Sequence, residues 1–230
     1  MFKGIIFDIG RTLVGYNKPL SWSTLYRLAL QNMADQCHYN LSEDQYKRAI
    51  DVLTKYNTRI HPRIREVSST QIFTEILDAM HLPLKDLEQV KDCFYSFFRR
   101  DAFMYPEVEE TLRTLVDKGI LLATLSDVAY GMDNIYVMED IAAIRKYIEY
   151  PFTSNDVGYR KPCVEGVRLL AQKMQVDVSD IIFVGDEEKD IICANDAGAY
   201  SVLINRENVE KNYGQKREIR SLTELLSLVG

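Results

Sequence analysis

Cysteine and histidine are scarce in this 230-residue chain, four and three respectively, and neither is spaced to bind a metal. Cys37, Cys93, Cys163 and Cys193 contain no CxxC pair, and His38, His61 and His81 fall in a stretch with helical spacing. The usual zinc patterns are therefore excluded, and a reduced compartment suits the thiols. No apolar run approaches the ~20 residues that span a bilayer. Met1 leads almost at once into the apolar "GIIF", with no basic leader segment. The expectation is a cytoplasmic protein without a membrane partner. A basic stripe is also missing: the net charge is -6, and only short pairs such as Arg99-Arg100 and the mixed-sign "EKNYGQKREIR" carry positive charge. That argues against a nucleic-acid partner and for solvated surface. Repeats and low-complexity tracts are absent.

What is present is an ordinary globular composition, 47% hydrophobic and 27% charged, on a chain long enough to bury a sizeable core. Residues 4 to 8 read as a buried strand. From about 21 to 100 the pattern is helical. "SWSTLYRLALQNMADQ" places Trp22, Leu25, Tyr26, Leu28 and Ala29 at helical spacing, and "LSEDQYKRAIDVLTKY" opens with a Ser42–Gln45 capping box. "SSTQIFTEILDAM" and "LKDLEQVKDCFYSFF" continue it, the aromatic cluster reading as helix packing. After Pro106 the types alternate. "EVEETLRTLVDKG" is a helix closed by Gly119, "ILLATLS" a strand, 133–147 a weaker helix and 150–153 a short strand. "CVEGVRLLAQKM" (helix), "DIIFVGD" (strand), "KDIICANDAGA" (helix) and "YSVLIN" (strand) follow, and the tail "SLTELLSLV" is a helix with a Ser221–Glu224 capping box. Alternation of this kind specifies a mostly parallel sheet covered on both faces. The expected fold is an α/β, Rossmann-like doubly wound core built from residues 1–16 and 103–230, interrupted by an all-helical insertion at 17–102.

Ligands of open α/β sheets bind beyond the carboxyl ends of the strands. Asp8 follows "GIIF", Ser126 ends "LLATLS", and Asp186 follows "IIFVG" with Asp190 one helical turn on. Lys161 lies in "GYRKP", where Pro162 suits a first helical turn. Taken singly, an Asp or Ser after a strand is a common helix cap and a Lys before Pro is commonly exposed. Together they supply a carboxylate nucleophile, a hydroxyl, a cation and further carboxylates. Three acids at one edge repel one another. A hard divalent ion such as magnesium, with oxygen ligands, relieves that repulsion, and an anionic phosphate completes the charge balance. The implied chemistry is phosphoryl transfer.

The motifs "IIFDIGRTLV", "LLATLSD", "GYRKP" and "IIFVGDEEKDIICANDAGA", in this order, resemble the haloacid dehalogenase superfamily, specifically its members with a helical cap inserted after the first strand. The resemblance covers essentially the whole chain. It implies that Asp8 takes the phosphoryl group and also binds Mg2+, and that the carbonyl of Gly10 is a second metal ligand. It implies further that Ser126 and Lys161 contact the transferred group, that the Asp127 position belongs to the phosphate-binding loop, that Asp186 holds the metal, and that Asp190 supports the metal or Lys161. The cap would close over the site, which suits a small phosphorylated metabolite.

Two positions depart from the family pattern. The phosphatases of the family read DxDGT where this chain reads "DIGRT", so Gly10 replaces the general acid/base, a group that contributes about 10²–10⁴-fold in rate. Arg11 stands where Gly is frequent and is expected to face solvent or the cap, to bind a substrate anion, or to pair with Asp127, itself a replacement for the usual Asn. Three readings follow. One is a phosphatase limited by hydrolysis of its aspartyl-phosphate. The second is a non-catalytic phospho-ligand-binding or regulatory protein on the same scaffold. The third is a 2-haloacid dehalogenase, which would share the missing acid but not the paired acids of "GDEEKD".

Overall fold

The structure, a computed structural model, describes residues 1–17 and 22–229. Its strands are β1 (Gly4–Phe7), β2 (Val14–Tyr16), β3 (Ala102–Met104), β4 (Leu121–Ser126), β5 (Tyr150–Thr153), β6 (Ile181–Gly185), β7 (Tyr200–Ile204) and β8 (Arg217–Ile219). The helices are α1 (Trp22–Gln36), α2 (Glu43–Tyr56), α3 (Ser69–Met80), α4 (Leu87–Arg99), α5 (Val108–Asp117), α6 (Asn134–Asp140), α7 (Ser154–Val157), α8 (Glu165–Met174) and α9 (Glu188–Ala197). The helix start expected at Ser21 lies outside the described residues.

Six strands form one parallel sheet in the order β5-β4-β1-β6-β7-β8. β1 is fully buried because both faces are covered, which is why it reads as an unbroken apolar run. Ile5 and Phe7 pack on the side of α5, Ile6 on the side of α8 and α9, as a period of two requires. The helical stretch α1–α4 follows β2 and precedes β3. These two strands pair antiparallel, Val14 opposite Met104 and Tyr16 opposite Ala102, so the chain leaves and returns at one narrow neck.

The helical stretch also touches the sheet-forming part far from that neck. Arg160 N donates to Ile64 O at 2.8 Å and Glu66 N to Gly158 O at 3.0 Å, a strand-like stitch. The Glu66 carboxylate is buried; it takes an ion pair from Arg160 and accepts from Ser154 Oγ at 2.6 Å. Tyr130, on the loop after β4, enters the aromatic cluster of Trp22, Tyr26 and Phe94. Trp22 stacks on Phe98 at 3.7 Å, so the "CFYSFF" aromatics are packing residues.

Four expectations need correction. The helix expected over 133–147 ends at Asp140, and the buried Ile141, Ile144 and Ile148 are carried by tight turns. The C-terminal helix is 3-10 over Leu222–Ser227, since its buried Leu222 and Leu225 stand three apart, the repeat that 3-10 geometry aligns. The mixed-sign "EKNYGQKREIR" supplies β8, a three-residue edge strand with only Ile219 buried. Pro162 lies in a turn, and α8 begins at Glu165.

Gly131 lies at φ +66°, and a Cβ there would stand 2.1 Å from Val67 O and 2.5 Å from Ser69 N. Gly131→Ala therefore forces the loop after β4 away from the backbone of residues 67–69. It is expected to destabilise the fold by about 2 kcal/mol or more, seen as a lower urea midpoint.

Candidate active site

Asp8, Ser126 and Asp186 reach one sheet edge through strand register. Phe7 stands opposite Thr124 on β4 and Val184 on β6. Asp8 is thus one residue past the pairing, and Ser126 and Asp186 each two residues past theirs. Asp8 N donates to Val184 O at 2.8 Å, which fixes the backbone where the acid leaves the sheet. Ser126 ends β4, half-buried.

Lys161 is the centre of the arrangement. Its ammonium is 2.6 Å from Asp8 Oδ1 and 2.7 Å from Asp190 Oδ1, and its side chain is 1% exposed. Asp190 is fully buried; its second oxygen accepts from Glu187 N at 2.9 Å and caps α9. A Cβ on Gly185 would fall 2.5 Å from Asp190 Cβ, so only glycine admits that aspartate. The carboxylates of Asp8, Asp186 and Asp190 each offer an oxygen within 4.8 Å of the others. Burial, then the Asp190 charge, raises Asp8 against the pull of Lys161, up to about 6. Burial, then Asp8, raises Asp186 to about 7. Lys161 is held well above its ordinary value: burial works against the charge, but Asp190 and Asp8 outweigh it.

Gly10 sits in a tight turn in which Arg11 N donates to Val14 O at 2.6 Å. A Cβ on Gly10 would meet nothing nearer than Asp8 Oδ2 at 4.0 Å, so the position next to the acid is open to a side chain. Arg11, at φ +56°, does not pair with Asp127. It turns back to the site, with Nε 2.9 Å from Asp186 Oδ2 and Nη2 2.9 Å from Glu187 Oε1. A cation on the open edge of three crowded acids has stronger partners there than a carboxylate already neutralised elsewhere.

Asp127 is neutralised by other groups. Its Oδ1 accepts from Lys161 N at 3.0 Å, and its Oδ2 faces Lys189 Nζ at 3.2 Å and Arg160 Nη2 at 3.8 Å. These cations hold its carboxyl below the usual range although burial pushes the other way. The carboxylate therefore positions the Lys161 backbone. Arg59, Glu66, Arg160 and Lys189 are site neighbours that sequence reasoning missed. Two signals existed, the Lys inside "GDEEKD" for Lys189 and the Arg inside "GYRKP" for Arg160; Arg59 and Glu66 had none.

A family model for haloacid dehalogenase-like hydrolases matches residues 2–198. The chain belongs to that family. Among relatives, phosphoglycolate phosphatase of Shigella boydii serotype 4 is 27% identical over 152 residues, which is 63% of this chain and 58% of that protein. The chain thus spans less than two thirds of that relative. Enolase-phosphatase E1 of a Sulfurihydrogenibium species is 22% identical over 206 residues, 88% of this chain and 87% of that one. Two solved structures share the fold over the whole chain and 98% of their own. A 2-haloacid dehalogenase from Pseudomonas syringae pv. Tomato has TM-score 0.70 at 20% identity, and a HAD phosphatase from Thermococcus onnurineus has 0.67 at 21%. Among the described residues, no helix is long and apolar enough to cross a membrane.

Removing either half of the Asp127–Lys189 pair takes one of two ionic partners from the other, since Asp127 keeps Arg160 and Lys189 keeps Glu187. Asp127→Asn and Lys189→Met are each expected to lower stability. Their double variant should recover about 1 kcal/mol in a double-mutant cycle, a figure reduced for the solvent that reaches Lys189.

Proposed function

We propose that the protein is a magnesium-dependent phosphomonoesterase acting on a small phosphorylated metabolite, with Asp8 as nucleophile. The observation that carries this reading is the buried ammonium of Lys161 between Asp8 and Asp190, with Asp186 alongside. A binding protein has no use for a carboxylate held this way at a strand end. Residues 17–102 would act as the cap, and residues 1–16 with 103–230 as the catalytic core. The names of the sequence relatives, a phosphoglycolate phosphatase and an enolase-phosphatase, point to small phosphorylated substrates. Four free cysteines suit a cytoplasmic setting.

The donor set fits magnesium. Asp8, Asp186 and Asp190 are hard oxygen donors gathered within 4.8 Å, and burial beside Asp8 destabilises Asp186 as an anion despite the Arg11 guanidinium. Asp8, the Gly10 carbonyl and Asp186 would hold the ion, with Asp190 supporting it. The ion would neutralise charge on the phosphoryl oxygens. Arg11 already occupies Asp186 as a cation and would compete for it. Arg11→Ala is therefore expected to tighten Mg2+ binding severalfold by titration calorimetry. An unchanged or weaker affinity would remove Arg11 from this role.

The chain's own groups then divide the work. The Asp8 carboxylate attacks phosphorus, the P–O ester bond breaks, and the leaving alkoxide takes its proton from water because Gly10 offers none. Ser126, the backbone of Asp127 and Lys161 hold the phosphoryl oxygens. Water next attacks phosphorus, the bond to Asp8 breaks, and phosphate departs. Lacking a base at residue 10, this second half limits turnover. A second reading, halide release from 2-haloacids, is favoured by Gly10 alone, since a leaving halide needs no acid; the three gathered acids weigh against it.

Hydrolysis of p-nitrophenyl phosphate, whose leaving group needs no acid, separates the readings. The expected result is a burst of about one nitrophenol per protein followed by slow turnover, lost with EDTA and with Asp8→Asn. Release that survives Asp8→Asn would falsify the mechanism. Gly10→Asp, for which the turn has room, is expected to raise steady turnover of an alkyl phosphate by about tenfold or more. No gain would mean that proton transfer is not what the turn lacks.

A further inference from the structure

Glu187 has three cations around it, and only Arg59 is not shared with another of the neighbouring acids. Arg11 Nη2 lies 2.9 Å and Arg59 Nη2 2.8 Å from its Oε1, and Lys189 Nζ lies 2.9 Å from its Oε2. Because the two arginines share one oxygen, their nitrogens can be no further apart than those two distances together. Arg11 comes from the turn three residues past the nucleophile and feels the charge of Asp8. Arg59 comes from the opposite side, the segment between α2 and α3. Lys189 also serves Asp127, and Arg11 also serves Asp186. Arg59 makes its ion pair through one nitrogen, and its side chain is 75% exposed; that of Arg11 is 48% exposed. A guanidinium offers five N–H donors in a planar fork, so both retain donors that water reaches.

Two guanidinium groups from separate segments of the chain thus already converge on one carboxylate, next in sequence to Asp186. Resting on the phosphatase reading, we propose that Arg59, with Arg11, binds a carboxylate of the substrate, so that the substrate class is a short phosphorylated hydroxy acid. Lys161 and the Asp8 edge take the phosphoryl end, and the arginines take the acid end. Glu187 holds the two arginines together between substrates. Arg59 is then a specificity-determining residue, and its contribution shows as discrimination between esters rather than as a general loss.

The test compares 2-phosphoglycolate with ethyl phosphate, which has similar size but no carboxylate. Affinities are measured by calorimetry with magnesium present, on the Asp8→Asn protein so that neither ester is consumed. Phosphoglycolate is expected to bind about tenfold tighter or more, a gap worth about 1.4 kcal/mol. Adding Arg59→Ala should bring the ratio close to one, and Arg59→Lys should restore part of it. Equal binding of the two esters, a preference that survives Arg59→Ala, or no binding of either overturns the subsite. Should Asp8→Asn fail to fold, the same ratio is read as kcat/KM with Asp8 intact. A preference in binding without turnover of any ester would overturn the phosphatase reading and keep the carboxylate subsite. Turnover without preference would do the reverse.

Discussion

A single ammonium group, Lys161 Nζ, lies within 2.7 Å of two carboxylates with almost no water around it. Removing these charges from water costs several kcal/mol per ion, and mutual attraction repays it only if geometry is good and the remaining oxygens are satisfied. Much of the surrounding structure meets that condition. Strand β1 delivers Asp8 with its backbone pinned to β6, and the α9 cap takes the far oxygen of Asp190. Gly185 vacates the space that Asp190 fills, and Asp127 holds the Lys161 backbone. Remove one of these and the ammonium keeps its desolvation cost without its partners.

The same economy explains why the helical stretch is stitched to the sheet-forming part beside Lys161 rather than only at the β2–β3 neck. Arg160 precedes Lys161 and is nearly as buried. Its guanidinium donates to Val128 O at 2.8 Å and pairs with Glu66, while Ser154, which donates to Glu66, accepts from Val128 N at 3.0 Å. One carboxylate from the helical stretch thus ties together the loop after Ser126 and the loop carrying Lys161. A shift of this stretch by more than a hydrogen bond's tolerance would unpair a buried charge on each side. The contacts that dock the helices therefore fall where the loops carrying Ser126 and Lys161 are held.

These linkages explain what the sequence could and could not reveal. Fully buried strands read as unbroken apolar runs, so β1, β4 and β6 were legible, and with them the edge at which Asp8, Ser126 and Asp186 emerge. A Lys and an Asp in the right order along the chain were enough to expect Lys161 and Asp190 at that edge. Glu66, Arg59 and Arg160 were not legible as partners, because a charged residue that pairs 94 or 128 positions away looks like any solvated one. The partner of Arg11 was hidden for the same reason: local pattern offered it solvent, the cap, a substrate anion or Asp127, while the field of three neighbouring acids gives it Asp186. β8 and the 3-10 tail escaped because three residues with one buried, and two leucines three apart, carry too little periodicity to register.

Gly10 and Arg11 are best understood together. The turn from Ile9 to Val14 is closed by backbone bonds, Val14 N to Ile9 O at 3.0 Å and Arg11 N to Val14 O, so its path does not depend on either side chain. Replacing an acid by glycine at residue 10 withdraws one negative charge and a proton carrier from the cluster. Placing arginine at residue 11 adds a positive charge on the adjoining acids, at the strain of a positive φ. Both changes act in the same electrostatic direction: they lower the repulsion among Asp8, Asp186 and Asp190 and favour an anion arriving at the edge. A site altered in this way gives up help to a poor leaving group and gains in holding charged ligands. Under the phosphatase reading, its discrimination then rests on the anions a substrate carries, and the cationic rim of Arg11 and Arg59 is where that discrimination has to act.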